Sequence, residues 1–99
     1  DIQSGHGAVP AYDAIYVLAN AIERAGSLDP DKVVQAIQAT DMAGAMGRIK
    51  FDQSHQTIFG TDPKQTAVGC TFQWQKGKMS VVWPETIASE KVQKPSWMK

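Results

Sequence analysis

The stretch AYDAIYVLANAIERAG, residues 11–26, decides how the rest of the chain is read. Ile15, Leu18, Ile22 and Ala25 recur at spacings of three and four, the period of an α-helix. Gly26 supplies the stop, because glycine enters the left-handed conformation after a helix without a steric penalty. Pro10 stands where a helix favours its first residue, since its missing N–H would be unpaired there in any case. These signals predict a helix over residues 10–25. Its polar residues are few: Asp13, Asn20 and Arg24 form one narrow stripe with Glu23 beside it. Tyr12, Ala14, Tyr16, Val17, Ala19 and Ala21 fill the remaining circumference. A helix apolar on nearly every side is buried on several sides, and this short chain offers little to bury it against.

Outward from the helix, residues 1–9 (DIQSGHGAV) are small and polar and read as a loop. Downstream, Asp29 is an N-cap candidate followed by Pro30, with Asp31 placing negative charge at the positive end of the dipole. A second helix is predicted over about 30–40, with Val33, Val34 and Ile37 as a single apolar stripe. Residues 41–47 (DMAGAMG), with two glycines, read as a loop. Arg48-Ile49-Lys50-Phe51 alternates charged and apolar residues, a short half-exposed strand over about 47–51. The polar stretch 52–64, with Gly60 and Pro63, reads as a long connection. Beyond it Val68, Cys70, Phe72 and Trp74 alternate with polar or small residues, and so do Met79, Val81 and Trp83 after Lys76-Gly77. With Lys76-Gly77 as a two-residue turn, Trp74 faces Met79, Phe72 faces Val81 and Cys70 faces Trp83, all on one side of a hairpin. Pro84 ends the second strand, and Pro95-Ser96-Trp97-Met98 can pin the chain end to a surface. An isolated two-stranded hairpin is marginal in water, so this one is expected to join a larger sheet.

The chain has 99 residues, 10 Lys+Arg against 10 Asp+Glu, and a formal net charge of +0. That balance argues against nucleic-acid binding, which shows a basic excess or a clustered basic face. No run approaches the roughly 18 consecutive apolar residues of a membrane span. The single Cys70 closes no intrachain disulfide. At 42% hydrophobic residues, three of them Trp, the chain has the core composition of a full domain. It opens on Asp1 rather than Met, which reads as a mature, processed or truncated product without its signal peptide.

No catalytic constellation emerges. Gly44 and Gly47 belong to no phosphate-binding loop, lacking the required preceding strand and following helix. His6 and His55 have no acidic or thiol neighbour at ligand spacing, so neither a metal nor a cofactor is expected. His55 reads as a surface turn residue. His6 precedes a helix N-terminus, a usual place for ligand contacts. Cys70, on the apolar side of a strand, reads as a buried structural thiol, and Trp74 and Trp83 as core. Asp52 and Asp62 read as turn and capping residues.

Several stretches in order resemble a known family. Residues 11–18 (AYDAIYVL) and 21–26 (AIERAG) are similar to the late helix of the periplasmic binding proteins for branched-chain amino acids. Gly47-Arg48-Ile49-Lys50-Phe51-Asp52 resembles the short strand and turn that follow in that family. Residues 73–78 (QWQKGK), 81–85 (VVWPE) and 95–99 (PSWMK) resemble its closing hairpin and C-terminus. The resemblance implies an α/β fold, here a fragment of the two-lobe type I periplasmic-binding-protein architecture with two helices, a short strand and a C-terminal antiparallel hairpin. It places residues 1–59 in the N-terminal lobe, 60–68 in the last hinge crossing, and 69–99 in a hairpin and tail joining the second lobe.

By the same resemblance the protein is a periplasmic solute-binding component of an ABC importer and not an enzyme. It captures an amino acid or related compound between its lobes and delivers it to a permease. Most of the grip on the ligand lies upstream of this chain. His6, Gly7 and Val9 are the cleft candidates here, with Tyr12 either cleft-facing or core; some relatives put an aromatic residue where this chain has His6-Gly7-Ala8-Val9. The alternatives are a ligand-sensing regulatory domain of the same fold and a standalone interaction domain. Exposed apolar faces predict self-association of the chain, by swapping or otherwise.

Overall fold

A computed structural model of the chain describes residues 7–99. Two compact units meet at the Val68–Gly69 junction.

The first unit carries two helices and a four-stranded sheet. α1 spans Ala8–Ala25 and starts two residues earlier than the sequence predicts, so Pro10 lies within its first turn rather than at its head. The shift costs nothing, because no N–H of the first turn has a partner inside the helix. Gly26 takes φ 59°, and its N–H reaches the carbonyls of Ile22 and Glu23. α2 (Pro30–Gln38) begins at Asp29, whose side chain accepts from the Lys32 N–H at 3.1 Å. Arg24 binds the two helices together. Its Nη2 donates to the Ala36 carbonyl at 2.7 Å and to Thr40 Oγ1 at 3.1 Å, while its Nε donates to Asn20 Oδ1.

The sheet runs β1-β2-β4-β3, built from β1 (Asp41–Gly44), β2 (Gly47–Lys50), β3 (Phe59–Gly60) and β4 (Ala67–Val68). β1 corrects the reading of 41–47 as a loop. Asp41-Met42-Ala43-Gly44 carries no β-branched or aromatic residue, so its local preference is weak; pairing with β2 (Met42 against Ile49, Ala43 against Arg48) makes it a strand. β2 also pairs antiparallel with β4, which in turn pairs parallel with β3. The connection over 52–64 is therefore not free of strand. Its turns are organised by aspartates: Asp52 Oδ1 accepts from the Ser54 and Gln56 N–H groups, and Asp62 Oδ1 from that of Lys64. Val17 and Ala21 of α1 are buried, as are Ile49, Ala67 and Val68 of the sheet.

The buried side of α1 is formed by Asp13, Val17 and Ala21, so one member of the polar stripe faces inward while Arg24 of the same stripe stays exposed. Asp13 is 4% exposed, whereas Ile15 of the expected apolar stripe is 68% exposed. The helix is thus rotated relative to a reading in which apolar residues face inward.

The second unit is the hairpin of β5 (Thr71–Gln75) and β6 (Lys78–Trp83) with the tail that follows. Trp74 pairs with Met79 and Phe72 with Val81, in the register the alternation predicts. Lys76 at φ 51° and Gly77 at φ 76° form the left-handed pair that a two-residue hairpin turn needs. The expected Cys70–Trp83 pair does not form. A register shift between Thr71 and Phe72 sets Thr71 opposite Trp83 and leaves Cys70 outside the strand and exposed.

Trp74 and Trp83 are also not core: they are 66% and 48% exposed. The tail covers the opposite side, where the Val81 carbonyl accepts from the Ser89 and Glu90 N–H groups and two glutamines supply further partners to its backbone. Gln73 Nε2 donates to the Gln93 carbonyl at 2.7 Å and its Oε1 accepts from the Gln93 N–H at 2.8 Å. Gln75, buried, donates to the Lys91 carbonyl and to Gln73 Oε1. Val82 and Pro84 are buried in this unit, while Trp97 is 77% exposed and pins nothing.

Candidate functional site

The turn between β1 and β2 is where helix and sheet chemistry meet. Its two connecting residues, Ala45 and Met46, point their N–H groups at one carboxylate. Asp13 Oδ1 accepts from Ala45 at 2.7 Å and Oδ2 from Met46 at 2.8 Å. A buried carboxylate is tolerable only when such donors replace its water, and charge-assisted bonds of this length are the strong ones. Gly44 makes room for the approach, and Gly47 for the neighbouring Thr66 backbone. A Cβ on Gly44 would stand 2.9 Å from Asp13 Cγ and 2.5 Å from Ile49 Cδ1. Gly47, at φ 108°, would put a Cβ 2.5 Å from the Thr66 carbonyl oxygen.

Beside this fork lies a shallow cavity of about 360 Å³, walled by Tyr12, Asp13 and Tyr16 of α1 and by residues 42–45. The two tyrosine rings stand tilted at 47° with centroids 4.9 Å apart. A hydrogen bond with the Tyr16 hydroxyl holds the Tyr12 phenol above the usual tyrosine range, with the charge of nearby Asp13 acting in the same direction. At neutral pH Tyr12 therefore presents a neutral hydroxyl beside the Tyr16 ring. Such a surface offers stacking and hydrogen bonding.

Of the residues the sequence singles out for ligand contact, His6 lies outside the described residues. Gly7 is the exposed N-cap of α1, Val9 is half-buried in the first turn, and Tyr12 is 57% exposed. Tyr12 lines the cavity; Gly7 and Val9 do not. Sequence reading gave Asp13 no role beyond membership of the narrow polar stripe of the helix. The available signal was the Gly-Ala-Met-Gly turn, whose inner N–H groups need an acceptor. His55 is exposed in its turn at φ 63° and borders a second cavity of about 270 Å³ with Val34, Ile37 and Phe51. Among the described residues no cluster of His, Cys, Asp and Glu could hold a metal ion, and no helix is long and apolar enough to cross a membrane.

These elements define a class. The family described as the receptor family ligand binding region matches residues 3–62, and the chain belongs to it. Within curated proteins, the chain is 42% identical over 50 residues to the "Leucine-, isoleucine-, valine-, threonine-, and alanine-binding protein" of Pseudomonas aeruginosa, half of this chain and 13% of that protein. It is 30% identical over 94 residues to "Leu/Ile/Val-binding protein homolog 8" of Brucella melitensis biotype 1, covering 91% of this chain and 21% of the relative. The chain spans about a fifth or less of the length of these relatives. No solved structure gives a significant match.

Proposed function

We propose that this chain is part of a periplasmic solute-binding protein of an ABC importer, one that captures a branched-chain or related amino acid between two lobes and hands it to a permease. The observation that carries the reading is the 94-residue similarity to a protein named for Leu/Ile/Val binding, which runs through both units of the chain. In this reading residues 1–59 complete the N-terminal lobe, 60–68 form the last hinge crossing, and 69–99 join the second lobe. Such crossings absorb backbone change as the lobes close. His6, Gly7 and Val9 are the cleft candidates in this reading, with Tyr12 cleft-facing or core, and the paired Tyr12 and Tyr16 rings suit an aliphatic side chain. Ligand binding favours the closed state to the extent that it contacts both lobes.

A chimera tests the proposal. The 50-residue matching segment of the Pseudomonas aeruginosa protein is replaced by the corresponding residues of this chain, and leucine is titrated in by calorimetry. A folded chimera that binds leucine supports the assignment, and a folded chimera that binds none overturns it. The 99-residue chain alone is expected to give no heat with leucine at micromolar concentrations, because most of the ligand's contacts lie on the rest of the cleft.

A further inference from the structure

The segment that leads out of the first unit is bonded into that unit up to its last residue. Asp62 organises its start: Oδ1 accepts from the Lys64 N–H at 2.9 Å, and the Asp62 carbonyl accepts from Gln65 and Thr66 at 3.0 Å each. The Ala67 N–H then donates to the Ile58 carbonyl at 3.2 Å, and the Val68 N–H to that of Met46 at 2.8 Å. Every N–H from Lys64 to Val68 thus has a partner inside the first unit, and the Thr66 carbonyl accepts from Arg48 in return. Side chains hold the segment as well. Ala67 is 0% and Val68 7% exposed, and Thr66 packs so closely on Gly60 that a Cβ there would stand 2.5 Å from its Oγ1. Bending within residues 60–68 would break these bonds and uncover Ala67 and Val68.

Gly69 and Cys70 differ in each of these respects. They lie between β4 and β5, belong to neither strand, and are exposed. The division between the two compact units falls immediately before them. A Cβ on Gly69 would meet nothing within 4 Å, and its φ is not among the positive ones, so neither packing nor a left-handed turn requires a glycine there. What glycine still supplies is a wide range of backbone angles.

We propose that the crossing between the units turns at Gly69 and Cys70, with residues 60–68 moving as a rigid part of the first unit. On the reading that residues 69–99 join a second lobe, the bend that accompanies closure then lies just beyond the 60–68 stretch. Hinges are a few residues at the ends of elements that absorb large changes of φ and ψ. A joint of two residues at the end of β4 lets the second unit reorient while the sheet of the first keeps all its bonds.

Nuclear magnetic resonance on the 99-residue chain locates the joint. Nitrogen-15 relaxation is expected to give order parameters of about 0.85 for residues 64–68, as in rigid backbone, and below about 0.6 at Cys70. Residual dipolar couplings from residues 8–68 and from residues 71–83 are expected to require separate alignment tensors. Gly69→Val has room for its side chain but a narrower range of backbone angles, so it is expected to raise the Cys70 order parameter and bring the two tensors closer. A single tensor for both units of the parent chain overturns the proposal. So does an order-parameter minimum within residues 60–66, or a Gly69→Val chain whose Cys70 relaxation and tensors match the parent's. A folded chimera that binds no leucine removes the ligand assignment and leaves these relaxation data as they are, so the two readings fail separately.

Discussion

Asp13 sits on a helix whose other polar residues gather on the same stripe, and by pattern alone that stripe belongs to solvent. The turn at residues 44–47 reverses this. Two adjacent N–H groups that the strands leave unused converge on the carboxylate, and Gly44 clears the approach. The information was in the sequence, though divided between two segments more than thirty residues apart, and helical periodicity reads only one of them. Asp13→Ala removes both acceptors at once and is expected to destabilise the chain by about 2–3 kcal/mol in urea unfolding. Asp13→Asn keeps one acceptor oxygen but sets its NH2 group against the second N–H, and should cost about 1–3 kcal/mol. An Asp13→Asn variant as stable as the parent would mean that the second bond of the fork contributes nothing.

Among the elements, the hairpin divides what pattern can reveal from what it cannot. Turn length and side-chain alternation settle which residues pair, because a two-residue turn admits one register and the side chains repeat every second position. They do not settle which side is covered. Gln73 and Gln75 win the tail because an amide offers a donor and an acceptor together, and a backbone laid across it needs both. Phe72 and Trp74 have nothing comparable to offer. Strand β1 was illegible for a related reason, since its pairing partner and not its own composition makes it a strand. At the turn itself, Lys76 holds a left-handed conformation that asparagine adopts more readily. Lys76→Asn is expected to stabilise the chain by about 0.5 kcal/mol, seen as a raised urea midpoint with an unchanged slope. A lowered midpoint would show that the lysine side chain contributes more than the turn geometry does.

At the scale of the whole molecule, the two helices, the α/β class and the hairpin were legible from sequence, and so was the family. The inward side of α1 and the covered side of the hairpin were not, because both depend on distant backbone groups. All three tryptophans belong to residues 69–99, at 66%, 48% and 77% exposure. Their emission is therefore expected to be red-shifted in the folded chain and to move little on urea unfolding. A blue-shifted native spectrum would place the aromatic side of the hairpin in a covered position.

The carboxylate fork has a mechanical consequence as well. It fastens the tip of β1–β2 to α1 about 7.5 Å along the axis from Ala8, which begins the helix. Helix head and strand tip then move as one lever instead of two loose ends. A force applied at Gly7, whatever its source, arrives at Ala45 and Met46 as a tilt, and the amide protons of those two residues are a built-in gauge of it.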